Sequence, residues 1–408
     1  MPSPLATHWT LDPEVTFLNH GSFGACPRAV LARQSELRAR LERQPVRFFV
    51  RDLEPLLDEA RSALGLFLGA APDDLAFVPN ATTAVNAVVR SLQFAPGDEL
   101  LATNHGYNAC NNVLAEAAAR SGARVVFATV PFPLANPEEV TSAILAQVTP
   151  RTRLALIDHI TSPTGLVFPI ESIVRALDAR GVDTLVDGAH APGMVPLSLD
   201  SLGAAYYTGN CHKWLCAPKG AGFLHVRRDR RDQIRPAVIS HGANSPRPNH
   251  DGRSRFLVEF DWTGTADPTA YLCVPESLRF MESLLPGGWP EIMAQNHALA
   301  LRARDLLTKA LGINPPAPDS MIGSLASVPI PDGNGEPPKS PLYTDPLQDA
   351  LLERFNIEVP VIPWPGPPKR LLRISAQLHN AIEDYERLVR GLAEMGVVAE
   401  LRGGLGSL

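Results

Sequence analysis

Short apolar runs alternate with longer amphipathic stretches along most of the chain. The runs are rich in Val, Leu and Ile and predict buried strands at residues 75–78, 99–103, 124–129, 154–158, 182–186, 204–208 and 222–226. Helical spacing of apolar residues predicts helices at 27–44, 54–68, 111–121, 138–147 and 172–180, with a further helix beginning at Asn80. This alternation of strands and helices is typical of an α/β protein built on a parallel sheet.

The pattern changes beyond Pro275. Helices are predicted at residues 275–285, 289–311 and 380–395, and strands at 324–330, 357–362 and 371–375, with a Pro/Gly-rich passage at 312–346. A chain of 408 residues also exceeds what one hydrophobic core usually serves. We therefore expect an N-terminal segment (1–50), a large domain (51–274) and a small domain (275–408), with the N-terminal segment joining the small domain.

Composition and charge exclude several classes of protein. Charged residues make up 20% of the chain and the net charge is −6, so no basic nucleic-acid surface is expected. No apolar run is long enough to span a membrane, and residues 1–14 lack the basic start and apolar core of a signal peptide. The five cysteines are odd in number and lack metal-ligand spacing. They predict reduced thiols, a cytoplasmic protein and no metal site.

Two predicted strand ends carry the chemistry. The strand at 182–186 delivers Asp187 at its carboxyl end, and the strand at 204–208 leads to Lys213. Alone, such an Asp is usually a helix cap and such a Lys a surface charge. Together they suit pyridoxal 5′-phosphate (PLP). The amine can form a Schiff base with the PLP aldehyde, and the carboxylate can keep the ring nitrogen protonated.

The segment 186–226 resembles class V aminotransferases of the fold-type I PLP superfamily. It shares the motif Asp-Gly-Ala-His-Ala-Pro-Gly from Asp187 onward and the motif Gly-Asn-Cys-His-Lys-Trp-Leu-Cys-Ala-Pro-Lys-Gly from Gly209 onward. Both motifs resemble the isopenicillin N epimerase-like subgroup most. The resemblance extends over nearly the whole chain. It implies a large α/β/α domain with a seven-stranded, mainly parallel sheet, a smaller α+β domain, and PLP as cofactor.

The resemblance assigns roles around the cofactor. Lys213 is the Schiff-base lysine and the base at Cα, Asp187 pairs with the pyridine N–H, and His190 bonds the ring oxygen or Asp187; these three are the predicted catalytic residues. Asn210 and His212, which flank the lysine, are expected to contact the phosphate.

Further cofactor contacts are predicted upstream of the lysine. The helix start at Asn80, Ala81 and Thr82 is either a phosphate cradle or simple capping, and the family order along the chain favours the cradle. His105 and Tyr107 both follow the strand at 99–103, where the family places an aromatic ring on the cofactor; both stay candidates. Ser162 stands where related enzymes have an Asn, and its hydroxyl can donate to the cofactor oxygen.

Substrate contacts are expected at both ends of the chain. Arg373 can bind an α-carboxylate in a bidentate manner, which a Lys cannot reproduce. The resemblance places the loop that contains Asn19 and His20 over the substrate, where a plain turn is the alternative. Arg47 is a candidate for a second carboxylate, although a solvated arginine is equally consistent. Thr265 matches the Thr that the family borrows from a partner subunit, which implies a homodimer with shared sites.

The resemblance leaves the reaction open between three outcomes after Lys213 acts at Cα: epimerisation, C–S cleavage and transamination. Residues 274–408 contain no cysteine, so the downstream nucleophilic cysteine of a cysteine desulfurase is absent. The sequence of the motifs around Asp187 and Lys213 favours an epimerase acting on an amino-acid substrate, with Tyr107 or His20 as second proton donor. A C–S lyase is the main alternative, then an aminotransferase, and a non-catalytic binding protein is a distant one.

Overall fold

The computed structural model describes residues 3–335 and 345–398, apart from the side chain of Asn249. The strands are β1 (Thr16–Phe17), β2 (Leu75–Val78), β3 (Glu99–Thr103), β4 (Arg124–Ala128), β5 (Thr152–Asp158), β6 (Asp183–Asp187), β7 (Tyr206–Asn210), β8 (Gly222–Val226), β9 (Leu325–Ile330), β10 (Ile357–Glu358), β11 (Val361–Pro363) and β12 (Arg370–Ser375).

The α-helices are α1 (His20–Phe23), α2 (Arg28–Arg43), α3 (Pro45–Arg47), α4 (Leu53–Leu68), α5 (Ala81–Ser91), α6 (Asn108–Ser121), α7 (Glu138–Leu145), α8 (Ile170–Asp178), α9 (Leu199–Leu202), α10 (Arg247–His250), α11 (Arg255–Phe260), α12 (Thr269–Leu272), α13 (Val274–Glu282), α14 (Gly288–Leu311), α15 (Pro346–Phe355) and α16 (Ile382–Glu394). A π-helical turn (Phe48–Asp52) and short 3₁₀ turns (Pro4–His8, Pro72–Asp74, Arg228–Gln233, His241–Asn244, Asp319–Met321) complete the secondary structure. None of the described helices combines the length and the apolar character needed to cross a bilayer.

Seven strands form the central sheet, in the order β2-β8-β7-β6-β5-β3-β4. Among the described strands of this sheet, β8 alone runs antiparallel to its neighbours. The predicted seven-stranded, mainly parallel sheet is therefore confirmed. Since β5, β6 and β7 are parallel, their carboxyl ends open at the same edge, where ligands of open α/β sheets bind.

Both faces of the sheet are buried, which explains why its strands are continuous apolar runs rather than alternating ones. In β5, Leu154 and Leu156 face a core shared with α5, α6 and α11. Ala155 and Ile157 face the opposite core, which contains residues of α4, α8 and α13. The period-two geometry of a strand thus divides one apolar run between two layers of helices.

A smaller unit packs beside the sheet. Its three antiparallel strands, in the order β11-β12-β9, lie against α14 and α16 around a third core. The N-terminal segment joins this unit because β1 pairs with β10, and Leu18 is fully buried in the same core. Residues 336–344 of the predicted Pro/Gly-rich passage lie outside the described residues.

Several predicted element boundaries were wrong. The strand predicted at 357–362 is two strands separated by Val359 and Pro360, since proline has no amide to continue a ladder. The helix α15 was not predicted, although Asp345 caps it and Pro346 opens it, which is a sequence signal for a helix start. The segment expected as a loop at 19–22 is largely the single helical turn α1.

Candidate active site

The active-site cleft is built where parallel strands end. Asp158 ends β5, Asp187 ends β6 and Asn210 ends β7, and Asp158 and Asp187 lie opposite one another in the register of neighbouring strands. The turn after β7 then carries Lys213. The sheet therefore brings two carboxylates, an amide and an amine to one edge.

The turn that carries Lys213 is held tightly by its own backbone and by the N-terminal segment. The amide of Cys216, which adopts a left-handed φ of 60°, donates to the carbonyl of Lys213 at 3.0 Å. Gly24 packs against the turn so closely that a Cβ there would lie 2.0 Å from the His212 carbonyl oxygen. Lys219 Nζ donates to the carbonyl of Gly24 at 2.9 Å. These contacts fix the backbone from which Lys213 projects.

The amine of Lys213 lies 3.0 Å from His190 Nε2. On the other side of the imidazole, Trp214 Nε1 donates to His190 Nδ1 at 3.3 Å. Burial lowers the pKa of Lys213 to about 7, and the positive charge of Arg373 adds to this effect. Burial also lowers the pKa of His190 well below its usual value. The site therefore holds an amine that is available in its neutral form near neutral pH.

Asp187 is buried and held from two sides. The amide of Ala189 donates to Oδ1 at 3.0 Å, and the thiol of Cys110 on α6 donates to Oδ2 at 3.2 Å. Burial raises the pKa of Asp187. Asp158 is also buried, and burial together with the charge of Asp187 raises its pKa well above the usual range. A cationic partner in the cleft would relieve the repulsion between the two carboxyl groups.

The start of α5 faces the same edge of the sheet. Asn80 Oδ1 accepts the amide of Thr83 at 2.9 Å, and Asn210 Oδ1 accepts the amide of Ala81 at 2.9 Å. Thr82 lies between these two amides in the first turn, where helix amides lack partners within the helix. His212 Nδ1 donates to a backbone carbonyl, and burial lowers its pKa to about 4. A helix start with this setting suits an anion such as a phosphate.

His105 and Tyr107 differ in their surroundings. His105 is fully buried, with Nδ1 2.7 Å from Thr164 Oγ1 and Nε2 3.1 Å from the carbonyl of Val130, so its ring is held within the protein. Tyr107 precedes α6 and leaves 39% of its surface exposed.

Arg373 on β12 is buried and reaches two other parts of the chain. Its Nη1 donates to the carbonyl and the hydroxyl of Ser162 at 2.6 and 3.1 Å. Its Nη2 donates to Ser22 Oγ at 2.9 Å, and Ser22 in turn donates to Asn19 Oδ1 at 2.5 Å. A planar guanidinium held in this way is preorganised for a carboxylate.

The aminotransferase class-V family profile matches residues 26–339. The chain belongs to the class V aminotransferase family. Its cofactor is PLP. The residues present would fit it, with an amine at Lys213, a buried carboxyl group at Asp187 and a helix start at α5 that suits a phosphate.

Relatives within the class V aminotransferases carry two kinds of name. The chain is 38% identical to an isopenicillin N epimerase from Amycolatopsis lactamdurans, over 96% of this chain and 99% of the relative. It is 35% identical to an isopenicillin N epimerase from Streptomyces clavuligerus, over 94% and 95%. It is 33% identical to a probable L-cysteine desulfhydrase from Arabidopsis thaliana, over 94% and 84%.

Solved structures support the fold of the chain. The cystine C–S lyase C-DES superposes with a TM-score of 0.77 at 22% identity, covering 94% of this chain and 98% of that one. The cysteine desulfurase CsdA from Escherichia coli superposes with a TM-score of 0.76 at 18% identity, covering 97% and 98%. At these identities the similarity shows the fold-type I architecture alone.

Within a single chain, three of the predicted site residues lie outside the cleft. His20 is fully buried beneath the lysine turn, with Nε2 3.1 Å from the Lys213 carbonyl and Nδ1 3.3 Å from His379 Nε2. Arg47 lies at the surface, 67% exposed and 3.8 Å from Asp52. Thr265 is exposed on a loop.

Sequence reasoning missed two residues that the structure places at the site. Asp158 could have been found, because it ends a predicted strand in the same way as Asp187. Cys110 carries no such signal, because its contact with Asp187 joins distant parts of the chain.

One group of possible metal ligands occurs among the described residues. Atoms of Asp74, Asp200 and His225 lie within 4.8 Å of one another. His225 is on β8, whose carboxyl end points away from the cleft because the strand is antiparallel. The guanidinium of Arg231 already lies 3.1 Å from Asp74 Oδ1. The positive charge beside these residues is therefore supplied by the Arg231 side chain.

Proposed function

We propose that this protein is a PLP-dependent enzyme that acts at Cα of an amino-acid substrate, as an isopenicillin N epimerase-like epimerase. The observation that carries the proposal is the Lys213 amine, 3.0 Å from His190, with its pKa lowered to about 7 by burial. The two isopenicillin N epimerases at 38% and 35% identity support the choice of reaction.

The chain supplies binding, orientation and proton transfer. Bound PLP supplies the electron sink that makes the Cα proton removable. Asp187 would keep a proton at the pyridine nitrogen, since a buried carboxylate favours a cationic partner. The start of α5, with Asn80, Ala81, Thr82 and Asn210, would hold the phosphate, with His212 as a further contact.

Substrate recognition falls to Arg373. Its guanidinium binds the α-carboxylate, while Ser162, Ser22 and Asn19 hold it in place. Lys213 then removes the Cα proton from one face, for which a base with a pKa near the working pH is the most effective. Arg47 remains a candidate for a second carboxylate only if the partner subunit brings it to the cleft.

Epimerisation requires a proton to return on the opposite face. Tyr107 is our choice for this donor and for the ring that covers the cofactor, because it is partly exposed whereas His105 is enclosed and bonded at both nitrogens. His20 is not retained as a donor, since its buried side chain contacts the backbone of the lysine turn.

We also propose that the enzyme is a homodimer. Exposed apolar side chains at Val46, Val50, Val238 and Ile239 would be covered by such an interface. Thr265 of the partner subunit would then complete the phosphate site. All five cysteines are buried and none forms a disulfide, which supports the predicted reducing, cytoplasmic compartment.

The second candidate is a C–S lyase. Desulfhydrase relatives at 33% and 31% identity favour it, and the enclosed cysteines leave no thiol of the chain to receive sulfur. Such an enzyme would use the same Lys213 and Arg373 and expel a thiol from Cβ.

Proton NMR in deuterated water distinguishes these reactions. The purified protein with PLP is incubated with L-amino acids, isopenicillin N and cysteine thioethers. Loss of the α-proton signal with an intact side chain, together with a D-configured product on chiral analysis, is expected. Formation of pyruvate would favour the lyase, and a keto acid without elimination would favour the aminotransferase. A panel without any reaction contradicts the proposed activity.

A further inference from the structure

Trp214, His190 and Lys213 form a chain of two hydrogen bonds. The indole Nε1 is 3.3 Å from His190 Nδ1, and His190 Nε2 is 3.0 Å from Lys213 Nζ. Trp214 and His190 each leave only 1% of their surface exposed. The bond between Trp214 and His190 is therefore shielded from water, whereas Lys213 at the end of the chain of bonds is half-buried.

The direction of the first bond decides the direction of the second. An indole N–H only donates, so His190 Nδ1 accepts and carries no proton. A neutral imidazole has one N–H, which must then be on Nε2. That N–H points at Lys213, whose nitrogen can accept it only when the amine is unprotonated. An ammonium group has no lone pair to offer.

His190 stays neutral in this setting. Burial lowers its pKa well below the usual value, and the positive charge of Arg373 acts in the same direction. The groups that face Lys213 oppose one another: Arg373 disfavours the ammonium, whereas the Asp187 carboxyl group favours it.

We propose that Trp214 is a positioning residue that locks His190 in its Nε2–H tautomer and thereby presents Lys213 as a neutral amine. The consequence for catalysis rests on the proposed function, because a neutral amine is what must bond the cofactor aldehyde and take up the Cα proton. The tautomer of His190 is a property of the apoprotein and can be measured without PLP.

Removing the indole N–H should allow His190 to adopt its other neutral tautomer. In Trp214→Phe, His190 can place its proton on Nδ1 and turn the lone pair of Nε2 toward Lys213. The ammonium form then gains an acceptor, and the pKa of Lys213 rises. Trp214 also packs on His20, with ring centroids 5.0 Å apart, and phenylalanine retains an aromatic ring at that position.

A matched control separates the hydrogen bond from the loss of a buried tryptophan. Trp289 is also buried, and its Nε1 donates to the carbonyl of Leu278 at 3.2 Å, away from the lysine turn. Trp289→Phe thus loses an indole and one hydrogen bond without touching His190.

The first test is long-range ¹H–¹⁵N NMR of the apoprotein labelled with ¹⁵N-histidine, with His190→Gln used to assign the His190 signals. The expected spectrum shows Nε2 protonated and Nδ1 unprotonated in the wild type and in Trp289→Phe, and the reverse or a mixture in Trp214→Phe. A protonated Nδ1 in the wild type overturns the proposal, and this result does not require that Trp214→Phe folds.

The second test measures how fast acetic anhydride labels Lys213 across a pH series, by peptide mass spectrometry of the apoprotein. In Trp214→Phe the midpoint should rise by about one pH unit, so that labelling near neutral pH falls by about tenfold. An unchanged midpoint contradicts the proposal. If the folded wild-type protein does not bind PLP or does not turn over any substrate, that result would instead contradict the proposed function.

Discussion

At the scale of single residues, Arg373 joins three parts of the chain through one guanidinium group. It reaches Ser22 near the N-terminus and Ser162 beyond β5 while standing on β12. Its charge also lowers the pKa of Lys213. In the proposed function, one side chain would therefore couple carboxylate binding to the protonation of Lys213.

Replacement of Arg373 should weaken substrate binding more than it weakens the fold. In Arg373→Lys we expect kcat/KM to fall by on the order of 100-fold, because a lysine cannot reproduce bidentate recognition. Steady-state kinetics measure the loss. Arg370→Lys on the same strand, which alters a pair with Asp345, is the control and should retain near-normal kcat/KM. Equal losses in both variants would argue against a substrate role for Arg373.

A substitution at Tyr107 can separate the two proton transfers of epimerisation, which are removal of the Cα proton and its return on the opposite face. Tyr107→Phe keeps the ring but removes the hydroxyl. If Tyr107 returns the proton on the second face, epimerisation should fall by about 100-fold. Exchange of the α-proton through Lys213 should persist. NMR for exchange and chiral chromatography for product report both rates in one reaction mixture. A parallel loss of both rates would contradict the role of Tyr107 as second donor.

At the scale of elements, the lysine turn depends on a glycine from another part of the chain. A Cβ at Gly24 would meet the carbonyl of His212 at 2.0 Å, and the φ of Gly24 is 70°. The backbone of the N-terminal segment therefore packs directly against the turn that carries Lys213.

Gly24→Ala should destabilise the protein and disturb PLP binding. We expect the free energy of unfolding to fall by about 2–4 kcal/mol, from left-handed strain together with the backbone clash. Denaturant titration measures it. Gly181→Ala is a matched control, since Gly181 has the same φ of 70° but nothing within 4 Å of its Cβ position. A similar loss in both would show that the contact with the lysine turn contributes nothing.

The element scale also shows what sequence can predict. The strand ends that carry Asp187 and Lys213 were predictable, because buried strands are apolar runs and parallel strands share a carboxyl edge. Strand limits were less accurate, and β7 ends at Asn210 rather than at residue 208. The burial of His20 and the contact of Cys110 with Asp187 were not predictable, since both depend on how distant segments pack.

At the scale of the whole molecule, the proposed phosphate site requires a second chain. Thr265 is exposed on a loop in one subunit, and apolar residues such as Val238 and Ile239 face outward. A homodimer would cover these residues and place Thr265 of the partner subunit at the phosphate.

A subunit-mixing experiment tests shared sites. Lys213→Ala and Thr265→Ala should each have low activity, whereas a mixed dimer contains one intact site. Mixing the two variants after partial unfolding and refolding should therefore restore activity, as measured by α-proton exchange. The two variants refolded separately are the controls. No recovery in a verified mixed dimer would contradict the assignment of Thr265.

We propose that Lys213 is the residue that bonds PLP. Borohydride reduction of the PLP-loaded protein, followed by peptide mass spectrometry, tests this assignment directly. We predict a phosphopyridoxyl group on Lys213, with the neighbouring Lys219 unmodified because its amine is bonded to the carbonyl of Gly24. A group found on Lys219, or no modified lysine at all, would contradict the assignment of Lys213.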